Sequence, residues 1–380
     1  MTSIIFLIGT YDAKLFGFKL DFDETDPSKL IKPHLFTEDH AGCIRSIATG
    51  KVGPITMAAT GASDSHMYLY NVSYSKSYGV VDQGDYVTSI EFIPSKQSYF
   101  LTGCEDGNIR LYRTKDFTPM LVMKGHRAPV TGLSAHPSGR MALSTGKDKR
   151  LRLWNLMSGK QEIQTLLEEE CFFLSWNKFD DVSDLNSHFL LLFQHSVHIH
   201  SPQASSIRTP ESVFSPTYSV FNEGQEYKCS HHLTSVCWCF DGHICVGGEE
   251  GDIWIVNVKS IKSPKPKSKK EFSKQKGGGK DVGKRRHIDA DKSNPISLES
   301  CYHSRIFTGK GGRVKGIHCV SLPSDKHSGY LCLASSSGIL VILKITIEKS
   351  TVNIVEIGRK ELDIRVVTSS AGLFEDKTKK

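Results

Sequence analysis

The chain has 380 residues, 38% of them apolar, with 48 Lys+Arg against 41 Asp+Glu and ten Cys. That apolar fraction is too high for a mostly disordered chain, and no apolar run approaches the ~18 residues a membrane-spanning helix needs, so no membrane partner is expected. The run Ile4-Ile5-Phe6-Leu7-Ile8 has no basic residues before it and no cleavage site after it, and the cysteines show no paired spacing, a pattern expected of a reduced intracellular chain.

From the N-terminus the apolar pattern has period two almost throughout, in short runs broken by Gly, Asp, Ser and His, which predicts β-strands. The runs fall into sets that align on the turn before each third strand. Asp12 stands six residues before Phe18, Asp64 before Tyr70, Asp106 before Tyr112 and Asp148 before Trp154. These aspartates are 52, 42 and 42 residues apart, close to the ~40–45-residue repeat of four-stranded propeller blades. Gln161 to Glu170 is the one helix-like stretch, short and uncapped. Weaker sets follow at Phe172–Trp176, Phe189–Phe193 and His198–His200, then at Leu233–Trp238, Ile244–Gly248 and Ile253–Asn257. The last set runs through Arg313–Lys315, Leu331–Ser335 and Leu340–Lys344. The N-terminal set lacks an inner strand, which Ile364–Thr368 is expected to supply.

The prediction is therefore all-β: a single seven-bladed propeller closed by both ends of the chain, which leaves few exposed sheet edges. Residues 1–258 hold blades one to six, 259–294 a basic disordered insertion between blades six and seven, 295–372 blade seven with the closing strand, and 373–380 a short basic tail. The insertion rests on charge and composition. Residues 259–292 carry thirteen Lys/Arg against four acids, a net +9, which leaves −2 for the rest of a chain of net +7. Rich in Ser, Pro and Gly, such a segment buries too little to offset its ordering entropy.

The repeated residue types have a local physical reason. His126, ahead of the inner strand, can accept from Ser144 with one ring nitrogen and donate to Asp148 with the other, with Trp154 bracketing the hydroxyl. A buried carboxylate is tolerated only with such partners. His40, Thr60, Asp64 and Tyr70 can build the same network in the second set, and Thr102, Asp106 and Tyr112 a version without the histidine. Asp12 marks the corresponding turn of the first set.

Gly125-His126, Val130-Thr131, His136-Pro137-Ser138-Gly139, Ala142-Leu143-Ser144, Gly146, Asp148-Lys149, Leu151-Arg152 and Trp154-Asn155-Leu156 stand in one block. This block closely resembles the PAK-interacting WD-repeat proteins, also called maintenance-of-killer factors. Cys104-Glu105-Asp106-Gly107, Arg313-Val314-Lys315 and Ala334-Ser335-Ser336 support the resemblance, which runs in order over roughly residues 4–370. It implies a nucleolar factor for assembly of the large (60S) ribosomal subunit, partnered by assembly factors and the pre-60S particle. In some members it also implies binding and inhibition of a PAK-type kinase. Family members often carry a Lys-rich tail after the propeller, whereas here the basic tract is internal and the chain ends with Lys377-Thr378-Lys379-Lys380.

Other chemical signals are weak. Gly278–Lys284 has the spacing of a phosphate-binding loop, but Arg285 stands where Ser or Thr must reach magnesium. Cys229, His231, His232, Cys237, Cys239, His243 and Cys245 cluster in sequence, yet their spacing suits buried core thiols better than a zinc knuckle. His195, His198 and His200 read as a packed or solvated strand. Ser144, His126 and Asp148 are ordered along the strands as a fold-defining set rather than a catalytic triad. No catalysis, cofactor or metal is expected. Arg127, Lys147, Lys149 and Arg150 form a candidate partner-binding patch beside His126 and Asp148. Lys265, Lys267, Lys269 and Lys270, with Lys284, Arg285 and Arg286, form two basic clusters suited to nuclear import and to non-specific contact with ribosomal RNA.

Overall fold

The computed structural model describes residues 2–21, 30–53, 55–94, 98–179, 188–200, 216–220, 232–258, 301–307, 312–322, 325–348, 351–362, 364 and 367–376. Blade one uses β1 (Thr2–Thr10), β2 (Leu15–Leu20) and β3 (Ile31–Thr37). Blade two is β4 (Ile44–Val52), β5 (Ile55–Ala62), β6 (His66–Asn71) and β7 (Lys76–Asp82). Blade three is β8 (Val87–Phe92), β9 (Tyr99–Cys104), β10 (Asn108–Arg113) and β11 (Pro119–Lys124). Blade four is β12 (Val130–Ala135), β13 (Met141–Gly146), β14 (Arg150–Asn155) and β15 (Lys160–Leu166). Blade five has the shortest strands: β16 (Phe173–Trp176), β17 (Phe189–Leu192), β18 (Val197–His200) and β19 (Pro216–Val220). Blade six is β20 (Leu233–Trp238), β21 (His243–Gly248), β22 (Asp252–Asn257) and β23 (Cys301–Arg305). Blade seven is β24 (Val314–Leu322), β25 (Asp325–Ser335), β26 (Ile339–Glu348) and β27 (Thr351–Glu361). Finally β28 (Val367–Asp376) becomes the inner strand of blade one, in the order β28-β1-β2-β3.

The apolar side chains form layers between neighbouring blades rather than one central core. Leu101, Ile109 and Met123 of blade three pack with Val130, Leu133 and Trp154 of blade four. Leu143 and Leu151 of blade four pack with Leu174, Trp176 and Phe189 of blade five. Five further layers repeat this around the ring. Each strand's alternation therefore serves two layers at once, which is why both faces of the middle strands β5, β9, β13 and β21 are buried.

The inner strands share a second repeat. In β4, β8, β12, β20, β24 and β28 the pairing slips after the first residue, leaving Arg45, Thr88, Thr131, Thr234, Lys315 and Thr368 as bulge residues. A bulge re-aims its side chain. Three of these threonines reach the next blade: Thr131 Oγ1 donates to Cys171 O (2.6 Å), Thr234 Oγ1 to Val314 O (2.5 Å) and Thr368 Oγ1 to Ile44 O.

Three expectations need correction. Residues 161–166 of the helix-like stretch lie in strand β15, paired with β14 from Arg150↔Leu166 to Asn155↔Lys160. This outermost strand is partly exposed on both faces, so its polar composition hides the period of two. The closing strand starts at Val367 rather than Ile364 and runs to Asp376, so residues 373–376 belong to it and not to a tail. In this blade Ser369-Ser370-Ala371-Gly372 line the channel. Lastly, β22 and β23 pair in one sheet, with Val256 opposite Cys301. The basic tract therefore enters the chain inside blade six, between its third and fourth strands, and not between blades six and seven. The tract itself lies outside the described residues.

Candidate functional site

Six of the turns between second and third strands place a residue in left-handed backbone just after the turn acid or its equivalent: Ala13 (φ 63°), Ser65 (66°), Gly107 (78°), Lys149 (56°), Gly251 (85°) and Gly338 (88°). This conformation favours glycine. In blade four it brings Asp148 under the loop that leads into β12. There Trp154 Nε1–H donates to Ser144 Oγ (2.8 Å), Ser144 Oγ meets His126 Nε2 (2.8 Å), and His126 Nδ1 meets Asp148 Oδ1 (2.8 Å). Because the indole can only donate and the carboxylate only accept, the protons run one way: Trp154 to Ser144, Ser144 to His126, His126 to Asp148. Asp148 also accepts from the Arg127 amide (3.2 Å) and the Arg150 amide (3.3 Å).

The electrostatics agree with a neutral imidazole. Burial, the largest influence, lowers His126 below its ordinary 6.5 even though Asp148 pulls it upward. Burial alone would raise Asp148, but hydrogen bonds from His126 and the two amides hold its carboxyl below the ordinary 3.8. Ser144 is 0% exposed, so no substrate carbonyl reaches its hydroxyl. This Ser-His-Asp set supports the fold and has no access for acyl transfer.

Blade two repeats the arrangement. His40 Nε2 meets Thr60 Oγ1 (2.8 Å) and Nδ1 meets Asp64 Oδ2 (2.9 Å), while Asp64 accepts from the Ala41 and His66 amides at 2.9 and 3.0 Å. Tyr70 Oη donates outward to Asp39 Oδ2 (3.0 Å). Blade three differs. Thr102 and Tyr112 both donate to Gln83 Oε1, at 3.0 and 3.2 Å, and Asp106 instead binds Arg110 Nη2 (2.7 Å) and the Asn108 amide (2.8 Å). Gln83 occupies the histidine's place. His40, Gln83 and His126 each precede their inner strand by four residues, and that offset could have revealed it. Arg152 was also missed; its nearly buried guanidinium lies 3.6 Å from Asp148 Oδ2, beside the ring of Trp154. Asp12 is exposed in its turn, where Thr10 Oγ1 takes up the Lys14 amide (3.0 Å) instead.

Arg127, Lys147, Lys149 and Arg150 all lie on the face that carries His126 and Asp148, called here the top face. The first three are exposed and Arg150 is half-buried. Lys149 Nζ reaches Glu168 O (3.4 Å), and Glu168 and Glu169 flank the patch with opposite charge. Lys265, Lys267, Lys269, Lys270, Lys284, Arg285 and Arg286 lie outside the described residues.

The remaining signals resolve into packing. Cys239 and Cys245 are buried between blades six and seven, and hydrogen bonding to Cys237 and Cys319 pushes the Cys239 thiol up. Cys229 and His231 lie outside the described residues. His198 packs on Phe193 with ring centres 4.7 Å apart, and burial lowers it to about 4. His200 stacks on Phe189 at 5.0 Å. The inner strands enclose a channel of about 560 Å³, lined largely by Ser, Thr and aromatic side chains.

The WD domain, G-beta repeat, family profile matches residues 77–113 and 117–155. Each matched unit joins the outer strand of one blade to three strands of the next, β7 with β8–β10 and β11 with β12–β14, so the sequence repeat interlocks the blades. The chain is 29% identical over 177 residues to p21-activated protein kinase-interacting protein 1-like of Xenopus laevis, covering 46% of each chain. It is 30% identical over 170 residues to the protein of that name from Gallus gallus, covering 44% of each. Against Protein MAK11 of Saccharomyces cerevisiae it is 27% identical over 173 residues, covering 40% of this chain and 41% of that one. The chain thus spans less than half the length of the curated relatives it matches. It is a WD-repeat β-propeller protein related to the PAK-interacting and MAK11 proteins.

Proposed function

We propose that the chain is a non-enzymatic scaffold of the nucleolus, docking assembly factors on the precursor of the large ribosomal subunit while its RNA matures. The observation that carries this reading is the distribution of charge: a net +9 tract, residues 259–292, within a chain that is otherwise −2. A rigid, nearly neutral propeller offers protein-binding faces, and the tract supplies nuclear delivery and an electrostatic hold on RNA. The similarity to Protein MAK11, with the ribosomal role the family resemblance implies, supports the same reading. On the top face, Arg127, Lys147, Lys149 and Arg150 are the proposed docking patch. Because Asp148 accepts from the Arg127 and Arg150 amides, the buried network sets the backbone of the patch above it.

The test exploits the pairing of Val256 with Cys301, which lets a short Gly/Ser linker replace residues 262–290 without opening blade six. The variant keeps the melting temperature but loses nucleolar accumulation, and its RNA binding loses most of its salt slope, about 0.9 log unit or less per phosphate neutralised. Unchanged localisation with an undiminished slope contradicts the proposal. A second reading, regulation of a PAK-type kinase, draws on the names of the relatives from Xenopus laevis and Gallus gallus. In that case a kinase is recovered with the linker variant as readily as with the intact chain.

A further inference from the structure

At the top of the channel, equivalent positions of the seven blades can be compared directly. At the bulge position four blades carry threonine: Thr88, Thr131, Thr234 and Thr368. All four hydroxyls are bonded to backbone carbonyls. The other three blades carry Arg45, Lys315 and, in blade five, Phe172. At the next position six blades carry Ser or Gly, whereas blade five carries Phe173. All of these side chains line the channel. Phe172 is 49% exposed and Phe173 41%. A single exposed aromatic residue is ordinary. Two in succession, where every other blade follows Thr, Arg or Lys with Ser or Gly, leave apolar ring surface in water.

The charges around this pair complete the pattern. Arg45 is exposed and Lys315 half-buried at the same level of the ring. The Arg45 guanidinium lies over the Tyr86 ring (5.9 Å) and makes a long contact to Glu105 (3.5 Å). We propose that the channel mouth is a docking site for a peptide segment in which a bulky apolar side chain stands beside one or two carboxylates. The apolar side chain seats on Phe172 and Phe173, and the carboxylates face Arg45 and Lys315. A polyanion fits less well, because Glu168 and Glu169 on the loop leading to Phe172, and Glu105 beside Arg45, would meet its successive phosphates. This site rests on the propeller geometry alone, so it stands or falls separately from the ribosomal reading.

The experiment uses the full chain and three labelled probes, followed by fluorescence anisotropy. The first is a set of short Gly/Ser peptides with a central Trp, Phe or Leu beside two acids; the second replaces the acids with Lys; the third is oligouridylate RNA. The acidic set binds, and F172T combined with F173S, which installs the residue types of the other blades, weakens it about tenfold or more. R45E combined with K315E moves the preference toward the Lys set, a gain that misfolding cannot produce. The proposal is overturned if the acidic set does not bind, if both double variants bind it as the parent does, or if only the RNA responds to the substitutions.

Discussion

Blades four and five are neighbours that share one apolar layer, yet different interactions hold each together internally. Blade four has strands of six or seven residues and the one-way hydrogen-bond chain from Trp154 to Asp148. Blade five has strands of four or five residues and relies on packed rings: Trp176 edge-on to Phe189 at 5.0 Å, Phe189 stacked on His200 at 5.0 Å, and Phe193 tilted against His198 at 4.7 Å. The rings of blade five fill its layer with blade four, while Leu190, Leu192, Val197 and Ile199 fill its layer with blade six. At the channel mouth the same blade places Phe172 and Phe173.

The largest expected effects test whether the two blades are equally well packed. Trp154→Ala and Phe189→Ala each remove a fully buried ring and should each cost about 3–5 kcal/mol in denaturant unfolding. A much smaller loss for Phe189→Ala would mean that blade five is loosely held. Next comes the polar network. Asp148→Ala leaves His126 and the Arg127 and Arg150 amides without their acceptor and should cost about 1–3 kcal/mol; a thermal midpoint unchanged from the parent would contradict this.

The same network predicts a pH dependence. His40 and His126 are held below 6.5, so the unfolded chain binds their protons first and stability falls as pH drops below 6.5. Asp64 and Asp148 are held below 3.8, so their contribution persists above that value and is lost as pH falls further through the acid range. Both signs agree: the intact chain should lose stability on acidification in two stages. Replacing His126 and His40 together should shrink the first stage and leave the part owed to His136, His198 and His318, which burial also holds below 6.5; an undiminished first stage would contradict the assignment.

Smaller effects separate blade three from its neighbours. Gln83→Met removes the common acceptor of Thr102 and Tyr112, and about 1 kcal/mol or more should be lost. If Tyr112→Phe in the Gln83→Met background costs as much as it does in the parent, the two groups are not coupled. The smallest expected effect is a gain: Lys149→Gly relieves left-handed backbone at the turn and should stabilise by roughly 0.5 kcal/mol, net of the entropy glycine brings to the unfolded chain. A loss of stability there would show that the Lys149 side chain holds the turn.

What the sequence revealed tracks how locally each feature is encoded. Blade four's network lies within 29 residues, from His126 to Trp154, and both its partners and its order were legible. Gln83 escaped because its role depends on aligning loops by their distance to the inner strand, and a neutral amide carries no motif of its own. Strand β23 escaped because the long basic tract separates it from β22. The closing strand escaped in part because Ile364, Val366 and Val367, all β-branched, look more like a strand than Ser369–Gly372, whose small residues line the channel. Phe172 and Phe173 look unremarkable in a one-dimensional apolar pattern. Their exposure emerges only when the seven inner strands are superposed.

The most direct test of the scaffold account is sedimentation of the tagged protein from cell extract through a density gradient at low and high salt. The account predicts that the chain travels with precursors of the large ribosomal subunit at low salt, and that replacing residues 262–290 makes this association less salt-dependent. Charge reversal at Arg127 and Lys149 should reduce the recovery of assembly factors in those fractions. A protein that stays at the top of the gradient at every salt concentration, and is recovered there with a kinase, would contradict it.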